Sequence, residues 1–352
     1  MVRTIEDIFI FEGGTGKTYL EGTSGDTVSY NNNEIPPLFR TPLKKSDVVT
    51  SIVGVPSGER TALIETGGEV YKLKGIIPTN RAYEEEGVPF GCMKESSCLS
   101  ELNASQVMSD FGKKNGVESA LEPVSYFRYG ISFEGEPVCC PVQIVRGDNR
   151  LEIIHIKMLE IIEEAFRKNL RNKDKISSIK ERFTSKIGNW IGFWYGSLER
   201  SNLCWGSIFF DLAYPQTNVG DHNVVLYPSD GGVAIGLVDL DKSHKNPGER
   251  VKDFELELIK KELALSDGLL YFLERGKKIE TIHNYHIHQT ASCINLNAFR
   301  KGFDPFHGTP LPNEDELEIL KHFEDGRKGK IPEPIDKEFF TKTKEKIIGI
   351  LK

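Results

Sequence analysis

The stretch 48-VVTSIVGVPSGERTALIETGGEVYKLKG-75 decides how the rest of the chain is read. Its apolar and β-branched residues fall into three runs separated by PSGE and TGGE, and this pattern predicts three strands joined by turns. The third run ends on Lys74, with Lys72 on the same strand face if alternation is regular. A lysine at a strand end can neutralise phosphate oxygens. The turn before it, GVPSGER, can bring backbone N–H groups close to phosphates because glycine interposes no side chain, which makes Gly58 and Arg60 candidates for the same ligand.

The pattern changes downstream of this unit. Residues 96-SSCLSELNASQVMSDFG-112 have helical spacing, with Leu99, Leu102, Val107 and Met108 apolar and Gly112 as the expected stop. Residues 121–146 predict two more strands around the turn FEGE. Helices then follow, over 151–170 and 180–196. A helix carrying Glu101 just after a strand ending in Lys74 predicts an ion pair, since a lysine lining a phosphate site needs its amine oriented and its charge partly balanced.

Composition narrows the classes. With 352 residues, 38% hydrophobic and 28% charged, the chain has the make-up of a soluble globular protein with ample core. Its formal net charge of −7 offers no basic surface for nucleic acid. No run of about 18 apolar residues exists to span a membrane, and the N-terminus has no signal-peptide pattern, so the chain reads as cytoplasmic. Six cysteines form neither a disulfide framework nor a zinc pattern. Cys139 and Cys140 lie in the apolar run EPVCCPVQIV, where alternation sends their thiols to opposite faces as small core residues.

Two stretches could supply a metal-binding Asn and Asp. In 196-GSLERSNLCWGSIFFDLAYP-215 these are Asn202 and Asp211, and in 221-DHNVVLYPSDGGVAIGLVDLD-241 they are Asn223 and Asp239, with Asp221 as a possible base. The first follows directly upon a long apolar helix, as a kinase catalytic loop does, and is therefore preferred. Three further features carry less. GGTGKT has Phe11 where a P-loop needs glycine. The cluster 283-HNYHIHQ-289 has no downstream carboxylate or cysteine pattern. The acidic and basic residues near the C-terminus read as a solvated helical face.

The order of strands, Lys-bearing strand, Glu-bearing helix, two strands, then helices resembles the protein-kinase fold. Within it, the chain resembles the selenoprotein O family of protein adenylyltransferases. YKLKG at 71–75 looks like that family's strand ending in an ATP-binding lysine. SSCLSELNASQVM at 96–108 is similar to its helix whose glutamate pairs with that lysine. VQIVRGDNRLE at 142–152 is similar to a segment with two phosphate-contacting arginines, here Arg146 and Arg150 at a shorter spacing. Residues 190–213 look like its catalytic loop, which implies Asn202 and Asp211 as metal ligands. Where the family has its basic aspartate this chain has Ser201, and Glu199 or Asp221 would have to substitute.

The expectation is therefore an α+β, bilobal protein-kinase-like fold. A strand-rich nucleotide-binding lobe would span 1–146, and a helical lobe carrying the metal site 147–352. The resemblance implies ATP and Mg²⁺ as cofactors and transfer of AMP to a protein hydroxyl. The alternatives are a protein or small-molecule kinase using Asp221, Asn223 and Asp239, and a nucleotide-binding pseudokinase acting through partners.

Overall fold

The computed structural model describes residues 2–4, 25–43, 49–51, 61–75, 84–85, 88–89, 93–147, 149–150, 185–206, 223–249, 251–253, 255–256, 259–260, 263 and 317–338. It is a mixed α+β structure in two compact units. One comprises residues 1–149 with 239–243, the other 150–238 with 244–352.

The first unit is built on a six-stranded antiparallel sheet. Its strands are β1 (Gly25–Ser29), β2 (Thr61–Thr66), β3 (Glu69–Lys74), β4 (Met93–Lys94), β5 (Leu121–Phe133) and β6 (Glu136–Val145). The order is β1-β5-β6-β3-β2, with β4 pairing to β6. Both tight hairpins expected from sequence are present: Gly67 and Gly68 join β2 to β3, and Glu134 and Gly135 join β5 to β6, all four at positive φ. Such turns match the right-handed twist of their strands.

Helix α1 (Glu95–Lys114) follows β4 and packs on β5 and β6. It runs past the expected stop. Gly112 is buried inside it, and the chain leaves the helix only where Gly116 adopts φ +70°, with Val117 N–H returning to the Gly112 carbonyl. The sheet separates two apolar layers. Phe39, Ile64, Tyr71, Leu73, Phe127, Cys140 and Val142 fill one; Met93, Cys98, Leu102, Tyr126 and Cys139 fill the other, beneath α1. Adjacent Cys139 and Cys140 thus serve opposite faces, and the four described cysteines are buried and in no disulfide.

In the second unit, α2 (Ser185–Arg200) is buried along most of its length. β7 (Val224–Ser229) and β8 (Gly232–Leu237) form an antiparallel hairpin, as read from sequence. The indole N–H of Trp194 donates to the Ile235 carbonyl at 2.6 Å and fastens α2 to β8.

Helix α3 (Glu318–Arg327), expected as a solvated face, instead buries Ile319, Leu320, Phe323 and Gly326. Glycines 188, 192 and 196 line one face of α2 at four-residue spacing. A Cβ on Gly192 would lie 2.0 Å from the Phe323 carbonyl oxygen, and one on Gly326 would lie 2.1 Å from that of Asn189. The two backbones therefore touch, which side chains at these positions would forbid. Among the described residues no helix is long and apolar enough to cross a membrane.

Candidate functional site

Alternation on β3 separates its residues by chemistry. Tyr71 and Leu73 enter the apolar layer that contains Phe39. Lys72 and Lys74 face the other way and are also buried, at 2% and 3% exposure. Gln143, directly opposite Lys72 on β6, donates its amide to the Ser105 hydroxyl of α1 at 2.7 Å. The space between this part of the sheet and α1 is thus polar, in a protein whose other layers are greasy. The strand ends at once after Lys74, because Gly75 takes φ +75° against Met93, where a Cβ would collide.

The ion pair expected between Lys74 and Glu101 is present. Glu101 is fully buried on α1, and its Oε2 accepts from Lys74 Nζ at 2.7 Å. Its Oε1 is buried without a hydrogen-bond partner among the described residues. Two further carboxylates reach the same ammonium: Asp239 Oδ1 at 2.5 Å and Asp241 Oδ1 at 3.0 Å, the latter an ion-pair contact rather than an aligned hydrogen bond. Both come from the segment directly after β8. Asp239 sits at φ +61°, a conformation disfavoured for residues other than glycine, asparagine and aspartate. This kink turns the chain out of β8. Ser243 then donates to the Ser100 carbonyl of α1 at 3.1 Å and fastens the far end of the segment.

Three buried or half-buried carboxylates thus meet at one buried ammonium, the four groups being separated by up to 167 positions in sequence. Buried charges are tolerated when paired in this way, and removing one partner is far more costly than removing a surface pair. All the acceptors are carboxylate oxygens, the donor type preferred by Mg²⁺. Among the described residues no three His, Cys, Asp or Glu side chains gather tightly enough to enclose a metal by themselves. Mg²⁺ does not require that, because it commonly takes one or two carboxylates and completes its shell with phosphate oxygens and water.

The other residues singled out from sequence lie elsewhere. Asn202 is on an exposed turn at φ +57°; its amide donates to Asn246 Oδ1 and its Oδ1 accepts from Lys252. Ser201 is exposed, and its backbone N–H closes the end of α2 onto Ser197 and Leu198. Glu199 forms a two-pronged ion pair with Arg327 of α3, at 2.7 and 2.9 Å, and Arg327 in turn holds Glu324. Arg146 pairs with Glu122 at 3.1 Å. The sheet register sets Lys72 across from Gln143 and runs from there away from Lys74 towards Arg146, which lies just past the end of β6. Arg150 is in the short strand Asn149–Arg150, and its side chain is not described. Gly58, Arg60, Asp211 and Asp221 lie outside the described residues, as do 151–170 and the histidines of 283–289.

Asn223, from the second sequence stretch, is buried at the start of β7, and its carbonyl accepts from Val238 N–H at 2.9 Å. Its Oδ1 has no hydrogen-bond partner among the described residues. Asp241 was missed by sequence reasoning, although it follows Asp239 at the two-residue spacing that lets both carboxylates approach one cation. No protein-family model matches the chain, and no curated protein is significantly similar to it.

Proposed function

We propose that the protein binds ATP with Mg²⁺ at Lys74, Glu101, Asp239 and Asp241 and transfers a phosphoryl group from it to a hydroxyl acceptor, within a bilobal protein-kinase-like fold. The single observation behind this reading is the Lys74 ammonium held between a helix carboxylate and two carboxylates that follow a hairpin. Phosphoryl transfer needs a polyanion positioned and its charge neutralised more than it needs covalent help from the protein. Glu101 orients Lys74, and Lys74 offers its charge to phosphate oxygens. Asp239 and Asp241 supply hard oxygen donors. Three carboxylates and one ammonium sum to −2 when all are ionised, a charge suited to a divalent ion. Mg²⁺ bound there would neutralise phosphate charge. The acceptor oxygen forms a bond to the γ-phosphorus as the bond to the bridging oxygen breaks, ADP leaves with the electron pair, and the acceptor's hydroxyl proton is released to solvent water.

The sheet order, with a helix carrying the paired glutamate between β3 and β5, supports the kinase-like architecture. The side-chain partners of Asn202 weigh against using it as a metal ligand and so favour the hairpin residues. AMP transfer is the second reading, supported by the resemblance of 71–75 and 96–108 to the selenoprotein O family. ATP labelled at the α- or the γ-phosphorus, incubated with the protein and candidate hydroxyl acceptors, separates the two. Acceptor labelled only from the γ position supports phosphoryl transfer. Label only from the α position supports AMP transfer. Label from neither, with nucleotide binding intact, indicates a pseudokinase.

A further inference from the structure

The second unit contains a carboxylate that no part of the proposed chemistry uses. Glu255 is fully buried in a helical stretch, and both of its oxygens point at the backbone of the turn that follows α2. Oε2 accepts from Trp205 N–H at 3.1 Å and Oε1 from Gly206 N–H at 2.7 Å. Tyr195 of α2 also faces this carboxylate. Two consecutive amides on one carboxylate form a backbone clamp of the kind that positions a loop without touching what the loop acts upon.

The clamped turn is itself paired to the chain just beyond the acidic segment. Cys204 N–H donates to the His244 carbonyl at 3.3 Å, Asn246 N–H donates to the Asn202 carbonyl at 2.9 Å, and Leu203 bridges Lys245. His244 is three residues after Asp241. We infer that Glu255 is a positioning residue whose ionised carboxylate holds the amides of Trp205 and Gly206 and whose protonation loosens them, making the Asn202–Gly206 turn a proton-sensitive latch.

The surroundings of Glu255 allow protonation near neutrality. Burial pushes its carboxyl up to about 7, opposed by the two backbone N–H groups and Tyr195 and reinforced by the negative charge of Glu199. The titratable and charged groups facing it are Tyr195 and Glu199 from α2, with Arg327 of α3 on Glu199, and Cys204 from the turn; Lys252, from its own stretch, acts on Cys204 and bonds Asn202. His244 touches Cys204. Burial drives the Cys204 thiol up to about 12, so it stays neutral over the working range. A protonated carboxyl keeps its volume but is a weaker acceptor than a carboxylate, so the amides lose much of their hold when it gains a proton.

Nuclear magnetic resonance on the full chain tests the latch. The amide protons of Trp205 and Gly206 should shift between pH 5.5 and 8.5 with one midpoint near 7, and the Glu255 side-chain carbon should report the same midpoint in the same sample. His244→Gln should keep this titration and Glu255→Gln should abolish it. Static amides, a midpoint that differs from that of the Glu255 carbon, or loss of the titration in His244→Gln would overturn the inference. The comparison within the wild-type protein decides even if Glu255→Gln fails to fold.

The effect on turnover rests on the proposed transferase. There, kcat should fall about tenfold below the midpoint with KM for ATP unchanged. Titrating amides without any transfer from ATP would keep the latch and refute the transferase. Active transfer with static amides would do the reverse.

Discussion

Two stretches with the same residue grammar have opposite surroundings. The segment after β8 delivers Asp239 and Asp241 to a buried lysine. The turn after α2 leaves Ser201 and Asn202 exposed, with the Asn202 amide spent on Asn246 and Lys252. Both contain an Asn and an Asp near a hydrophobic element. What separates them is where a cation already sits: Lys74 is committed by β3 and anchored by Glu101, and only a segment that reaches it can share its charge. An apolar helix upstream, the feature that favours the first stretch in sequence, says how the chain enters the turn and nothing about where the turn's side chains end.

The strongest way to break this comparison is to remove Asp239. Under the proposed transferase reading, Asp239→Ala should lower metal-dependent ATP turnover by about 100-fold or more, the scale of a lost charge-stabilising contact, whereas Asp211→Ala should change it little. Loss of metal-dependent ATP binding in Asp211→Ala alone would return the site to the first stretch.

Next in size is a packing effect confined to the second unit. Gly192→Ala would set a methyl 2.0 Å from the Phe323 carbonyl oxygen. Urea denaturation should show a loss of about 3 kcal/mol as α2 and α3 are forced apart.

Glu255 should give the second unit a pH dependence of stability of its own. A carboxyl whose folded-state pKa is raised to about 7 binds more protons folded than unfolded. Stability from this group is therefore present at low pH and declines as pH rises from the unfolded value of about 4 through 7. The decline should be on the order of 3 kcal/mol between pH 5 and 8, and Glu255→Gln should flatten it.

Smaller again is Glu199→Gln. Its half-buried pair with Arg327 ties α2 to α3, so the change should cost about 1 kcal/mol of stability and leave turnover unaltered. A fall in kcat at unchanged stability would instead mark Glu199 as the substitute base. Asn202→Ala should have the least effect, within about 0.5 kcal/mol of stability.

Much of the fold was legible because short-range rules govern it. Gly67–Gly68 and Glu134–Gly135 announced their hairpins through turn chemistry, alternation assigned Cys139 and Cys140 to opposite layers, and the 3.6-residue period marked α1 and α2. The Lys74–Glu101 pair was legible too, since strand and helix adjoin in sequence and alternation turns Lys74 to one face. The end of α1 was not, because Gly112 lies buried inside the helix and Gly116 provides the left-handed cap. Nor was α3: its charges suggested a solvated face, and only the backbone contact made possible by Gly188, Gly192 and Gly196 shows why its apolar stripe is buried.

Local periodicity and turn chemistry, acting between neighbours along the chain, determined by themselves that this protein has a hairpin-built sheet with a buried lysine facing a helix glutamate. Which carboxylates join that lysine was decided only in three dimensions. Asp239 lies 165 residues away, and nothing near Lys74 in the sequence says that the segment kinked at Asp239 and tethered by Ser243 is the one brought to it. Coulombic attraction between buried charges acts over ångströms of space, and the fold alone converts separation along the chain into distance.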